Sequence, residues 1–210
     1  MSVRERRAAV LRAARHMSES GLSAGTSGNV SARAPGGMLV TPSALPYDEI
    51  VVDDVVLMNL EGRVLEGERK PTTEWPMHAA IYRARPEVGA IVHAHATFCT
   101  TLAVLRRAIP PFHYMVALAG GDSIRCAPYA AFGTRALADH AVEALEDRTA
   151  CLLSNHGMVA LGASAASALR LAFEVERLAE LYWRALLVGE PVLLTPDEMS
   201  EALERFTDYC

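Results

Sequence analysis

Residues 90–96 read Ala90-Ile91-Val92-His93-Ala94-His95-Ala96, bounded on the N-terminal side by Gly89. The alternation predicts a β-strand. One face carries Ile91, His93, His95 and Thr97, and the other Ala90, Val92, Ala94 and Ala96. Side chains two apart on a strand share a face, with backbones roughly 6.5 Å apart. Two imidazoles at that spacing can converge on one metal ion. The spacing equally admits two exposed strand histidines.

His156 adds a second signal. It follows the apolar run Ala150-Cys151-Leu152-Leu153 and precedes Gly157, which places it at a strand end beside a tight turn. A third ligand delivered there would complete a three-histidine set with an open position, the pattern of a catalytic zinc. Taken alone, His156 also fits a capping or buried hydrogen-bonded role. His16, His78, His113 and His140 lack comparable context and read as structural.

Outward from this strand, residues 3–20 show helical spacing, with Gly21 as the stop. NVSAR (29–33) and MLVT (38–41) form a hairpin across Pro35-Gly36-Gly37, and VVLMNL (55–60) with RVLEG (63–67) a second one. Thr72-Thr73 open a helix that ends before Pro86, with Pro76 in its first turn, where a missing N–H costs little. HYMVAL (113–118), SIRCAP (123–128), ACLLSNHG (150–157) and MVALG (158–162) read as strands. Residues 133–147, 165–188 and 197–206 read as helices. One α/β domain over residues 1–210 is expected.

Composition narrows the function. The 210 residues are 51% hydrophobic and 21% charged, a globular balance that rules out a disordered chain. A formal charge of −5 and the lack of a basic face argue against nucleic acid. No stretch approaches the roughly 18 apolar residues of a membrane span. MSVRERRAAVLRAARHM (1–17) has no signal-peptide core, so the cytoplasm is the expected compartment. Cys99, Cys126, Cys151 and Cys210 form no C-x-x-C pair and read as reduced thiols. Lys70 is the single lysine, in a turn-like segment, so imine chemistry has little to draw on.

Glu74 begins a helix behind Thr72 and Thr73. It reads as an acid complementing the helix dipole or as a general base near the metal. The helix start, Gly25-Thr26-Ser27-Gly28-Asn29 and Thr41-Pro42-Ser43 are three possible anion sites, which together lean towards a phosphorylated substrate.

In order along nearly the whole chain, GTSGNVS, VTPS, TTEWPMH, HAHAT, AGGDSIRCAPYAAFGT and NHG resemble the class II aldolase/adducin family. The resemblance implies a three-layer α/β/α sandwich around a central, largely antiparallel sheet, assembled as a C4 tetramer with sites at subunit interfaces. It implies Zn2+ (or Mn2+ or Co2+) on His93, His95 and His156. Glu74 would be the fourth ligand and, once substrate displaces it, the acid/base. Gly28, Asn29, Ser43, Thr72 and Thr73 match phosphate-holding positions. Tyr114 matches a tyrosine that reaches a neighbouring subunit's site, Phe132 a wall of the aldehyde pocket, and Tyr209 a tail tyrosine over that pocket. The implied reaction is reversible cleavage of a ketose 1-phosphate, such as a fuculose or 5-deoxypentulose 1-phosphate, to dihydroxyacetone phosphate and an aldehyde. Pentulose-5-phosphate 4-epimerases of the family carry Asp at the position of Glu74, so Thr72-Thr73-Glu74 favours the aldolase. A non-catalytic, adducin-like module would have lost these residues. Three departures stand out: Ala44 where Gly is usual, Asp122, and Arg125. Each bears on sugar identity more than on reaction type, and Ala44 would be strained if its φ must be positive.

Overall fold

Strand β5 (Ala90–Ala94) is buried along its whole length, so neither of its faces meets solvent. That burial settles the reading of His93, which is fully enclosed, while His95, one residue beyond the strand, is half-buried. The computed structural model describes the backbone of residues 1–209 and the side chains of residues 1–206.

Helix α1 (Val3–Glu19) opens with a capping box, in which Ser2 and Glu5 each bond the other's backbone N–H. It ends just before Gly21, whose φ is +74°. The first hairpin is β1 (Asn29–Ala34) with β2 (Gly37–Val40), and the second is β3 (Val56–Met58) with β4 (Val64–Glu66). Helix α2 (Trp75–Ala84) carries Pro76 in its first turn, and α3 (Thr97–Val104) follows β5 directly. Then come β6 (Arg125–Ala127), α4 (Arg135–Ala144), β7 (Ala150–Leu153), β8 (Gly157–Gly162), α5 (Ala165–Val188) and α6 (Pro196–Tyr209).

The strands form one eight-stranded sheet in the order β4-β3-β2-β1-β5-β8-β7-β6. Every neighbouring pair is antiparallel except β6 with β7. Val10 and Met17 of α1, Cys99 of α3 and Ala172 of α5 pack with Val92 and Ala94 on one face. Met77 and Tyr82 of α2 and Leu137 and Ala141 of α4 pack with Ile91 on the other. This is the three-layer α/β/α arrangement with a largely antiparallel sheet.

Two sequence expectations fail. HYMVAL is a 3-10 segment, Tyr114–Ala119, rather than a strand. Pro110-Pro111 and the left-handed Gly120 close it off, and its buried residues, Val116, Ala117 and Ala119, follow a helical spacing. The strand at 90–96 stops at Ala94, because α3 begins at Thr97.

Helix α3 is fixed from outside. Glu176 of α5 accepts from the backbone N–H groups of Phe98 and Cys99, both at 2.8 Å. Glu176→Gln leaves one acceptor facing two donors, so it is expected to lower stability to urea by about 1–3 kcal/mol.

Candidate active site

The centre of the sheet assembles the site. Asn29 at the start of β1 lies directly opposite His93 of β5, and His93 lies opposite Val159 of β8. The turn between β7 and β8 then presents His156 at the same end of the sheet. That turn needs a left-handed residue, which Asn155 supplies at φ +56°, and the Asn155 N–H bonds Ala103 of α3. Gly28, at φ +77°, lets the preceding loop pass close to β5: a Cβ there would lie 2.8 Å from the His93 carbonyl oxygen.

Four side chains converge: Glu74, His93, His95 and His156 offer ligand atoms all within 4.8 Å of one another. The Nε2 atoms of His93 and His95 are 3.2 Å apart. Glu74 Oε2 is 3.1 Å from His93 Nε2, and Glu74 Oε1 is 3.3 Å from His156 Nε2. Ligands about 2.0–2.1 Å from a tetrahedral zinc stand roughly 3.3 Å from one another, close to the separation of the His93 and His95 Nε2 atoms. Oε1 of Glu74 is buried without a hydrogen-bond partner, an acceptor that a cation would satisfy. The donor set, three imidazoles and a carboxylate, fits a divalent ion.

Electrostatics prepares these ligands. His93 Nδ1 donates to the Met158 carbonyl at 2.9 Å, which aims Nε2 into the cluster. Burial pushes the pKa values of His95 and His156 down to about 4, helped by repulsion from His93, so both rings are neutral near pH 7. Burial also opposes charge on His93 and Glu74, but their mutual attraction outweighs it. His93 is held above the ordinary histidine range and Glu74 well below the carboxylate range. Without metal they form an ion pair.

A cleft of about 380 Å³ opens over the cluster, within the usual range for small-molecule sites, roughly 300–1,000 Å³. Gly28, Asn29, Ser43, Thr72, Thr73, Glu74, His95, Phe132 and His156 all line it. His93 lies just beneath. Residues 26–29, 42–44 and 72–74, separate in sequence, therefore line one cleft. Backbone bonds tie them together: Thr72 N–H to Thr41 O at 3.0 Å, and Ser43 N–H to Lys70 O at 2.9 Å. Tyr114 does not enter this cleft. Half-exposed, it stacks on Phe206 of α6, with ring centroids 6.1 Å apart. The Tyr209 side chain lies outside the described residues. Lys70 is on the surface, as the turn reading requires.

Residues 8–183 match the family described as Class II Aldolase and Adducin N-terminal domain. The chain belongs to that family. It is 51% identical over 197 residues to the 5-methylthioribulose-1-phosphate/5-deoxyribulose-1-phosphate aldolase of Rhodospirillum rubrum, covering 94% of this chain and 89% of that protein. It is 46% identical over 194 residues to the L-fuculose phosphate aldolase of Escherichia coli K12, covering 92% and 90%. A solved structure of an L-fuculose 1-phosphate aldolase superposes with a TM-score of 0.94 at 40% identity, over 99% of this chain and 98% of that one. The chain is an aldolase, and the His/Glu cluster is its candidate metal centre.

In and behind the cleft of this class II aldolase lie residues that the sequence reading passed over. Tyr129 and Asn155 line the cleft. His78, taken as structural, is fully buried and bonds Asn29 Oδ1 at 2.6 Å through Nε2. Its spacing four residues after Glu74 on a helix was the available signal.

Of the three departures, only Ala44 touches the cleft. Its φ is +58°, so the strain foreseen for a Cβ there is present. Ala44→Val adds β-branching to a left-handed residue and is expected to cost about 1–3 kcal/mol in urea denaturation. Asp122 pairs with Arg148 at 2.6 Å, while Arg125 donates to the Glu146 carbonyl at 2.7 Å. Neither lines the cleft of the single chain.

Proposed function

We propose that this class II aldolase uses Zn2+ to cleave a 5-deoxypentulose or fuculose 1-phosphate, reversibly, into dihydroxyacetone phosphate and a small aldehyde. The observation that carries the reading is the cleft itself: a three-histidine, one-carboxylate cluster, buried or half-buried, with three amide- and hydroxyl-rich segments lining the same cleft. A bound divalent ion would act as a Lewis acid, stabilising the negative charge that develops on the ketose oxygens as the carbon–carbon bond breaks.

The chain's own residues supply the rest. Thr72 and Thr73 at the start of α2, with Asn29, Ser43 and the Gly28 backbone, would hold the phosphate, the helix terminus favouring an anion. Glu74, already a carboxylate, would carry the proton onto and off the carbon that the aldehyde leaves. Phe132, exposed at the cleft mouth, would form a wall for the aldehyde. Tyr114 projects from the surface outside its own cleft, which supports a role at a neighbouring subunit's site in a C4 tetramer. Tyr209 would close over the aldehyde side. Among the described residues no helix is long and apolar enough to cross a membrane, in keeping with a cytoplasmic sugar-phosphate enzyme.

The test is chelator-sensitive release of dihydroxyacetone phosphate from a panel of ketose 1-phosphates. It begins with 5-deoxyribulose and methylthioribulose, then L-fuculose and L-rhamnulose, with pentulose 5-phosphates as the epimerase control. Release from one member establishes the reaction and names its aldehyde. Epimerisation without release, or silence across the panel from zinc-loaded enzyme, overturns it.

A further inference from the structure

Five buried polar side chains on the α2 side of the sheet form a single file. Tyr82 Oη lies 2.9 Å from Ser31 Oγ, Ser31 Oγ 2.7 Å from His78 Nδ1, and His78 Nε2 2.6 Å from Asn29 Oδ1. Asn29 Nδ2 donates to Glu74 Oε2 at 3.0 Å. All five residues are at least nine-tenths buried. The file exists because two periods mesh: Asn29 and Ser31 are two apart on β1, while Glu74, His78 and Tyr82 are four apart at the start of and along α2.

The chemistry of each group fixes the direction of every bond. An ionised carboxylate only accepts, so Asn29 presents its NH2 to Glu74 and its carbonyl oxygen to His78. That oxygen only accepts, so His78 Nε2 carries the proton. In the neutral ring Nδ1 is then an acceptor for the Ser31 O–H, and Ser31 in turn accepts from the Tyr82 O–H. Reversing any link leaves two donors or two acceptors face to face in a dry environment, a costly arrangement.

We propose that His78, kept as its neutral Nε2–H tautomer by the Asn29 oxygen on one side and backed by the Ser31 and Tyr82 hydroxyls on the other, is a positioning residue that holds the Glu74 carboxylate in place through the Asn29 amide. His78 touches no substrate in this arrangement. It sets which end of the Asn29 amide faces the site, and the amide N–H then anchors one carboxylate oxygen. The kinetic part of the inference rests on the aldolase reading; the tautomer does not.

The test therefore has two arms. In the first, 15N-histidine NMR of the wild-type enzyme reports which ring nitrogen of His78 is protonated, the signal being assigned by its loss in His78→Gln. A proton on Nε2 and a bare Nδ1 are expected. A proton on Nδ1, or on both nitrogens, overturns the proposal. In the second, His78→Leu fills the space without a donor and is expected to lower kcat by about 10- to 100-fold while KM moves less and bound metal is retained. His78→Gln places an amide N–H near the position of Nε2 and should recover most of that loss. A kcat within twofold of wild type in His78→Leu, or no recovery in a folded, metal-loaded His78→Gln, overturns the positioning role. Should His78→Leu fail to fold, Ser31→Ala decides: it frees the ring, so mixed tautomers with lowered kcat support the file, and an unchanged tautomer with unchanged kcat refutes it. Because the NMR arm needs no substrate, silence across the sugar-phosphate panel with an Nε2–H His78 would sink the substrate assignment and leave the hydrogen-bonded file standing.

Discussion

Glu74→Gln is expected to leave the protein folded and able to bind metal while lowering aldol cleavage by about 10²–10⁴-fold, the usual contribution of a positioned acid/base group. The amide conserves the shape of the carboxyl, and three histidines still face the ion. What it loses is the ability to take up and return a proton. It also turns a purely accepting group into one that presents an NH2, so the Asn29 NH2, 3.0 Å from Oε2, keeps its acceptor only when the new amide turns its oxygen toward it. Two measurements check this: kcat on the productive sugar phosphate, and exchange of solvent protons into C3 of dihydroxyacetone phosphate. Exchange at the wild-type rate would remove Glu74 from proton transfer and leave it a ligand only.

The second large effect is His93→Ala. His93 is the most enclosed of the ligands and the only one whose orientation is fixed by a backbone carbonyl, Met158 O, among the described residues. Its loss should reduce metal binding by several orders of magnitude and abolish cleavage. In the metal-free protein it also deprives the buried Glu74 carboxylate of its charged partner at 3.1 Å, costing on the order of 3 kcal/mol in urea denaturation. One metal per chain at wild-type affinity in the variant would exclude His93 from the ligand set.

Metal binding by the wild-type protein carries its own pH signature. His95 and His156, held down to about 4, are already neutral near pH 7, whereas His93 is held above its ordinary value by Glu74. One proton must therefore leave His93 for each ion bound. Apparent affinity should rise about tenfold per pH unit below the His93 pKa and level off above it, down to the point where the other two rings begin to charge. A titration of zinc affinity against pH reads this directly, and a slope of zero between pH 5 and the plateau would contradict it.

The arginine-rich composition acquires a structural reason in the fold. Arg33 bonds the Val88, Tyr82 and Arg85 carbonyls, Arg85 those of Leu145 and Arg148, and Arg125 that of Glu146. These guanidiniums satisfy orphan carbonyls where α2 and α4 end. The planar fork of arginine can serve two carbonyls at once, which a lysine ammonium does with less directional control.

The sequence by itself determined the pieces whose signal is local. The period-two run at 90–96 places His93 and His95 on one side. Gly21 stops α1, helix 165–188 matches α5 end to end, and the acid at 74 sits at a helix start because Thr72, Thr73 and Pro76 demand one there. It also located the three polar segments of the cleft and the strain at Ala44. What it could not determine depends on neighbours far along the chain. Helix α3 is short, and its first amides are satisfied by Glu176, nearly eighty residues away, so no local pattern announces it. The segment at 114–119 has strand-like composition but no strand to pair with. Above all, only the fold sets β1 against α2, turning Asn29 and Ser31 on one element, and Glu74, His78 and Tyr82 on the other, into one file of hydrogen bonds. Residue type and periodicity decide which face a side chain takes; which other face it meets is decided by the packing of the sheet and its helices.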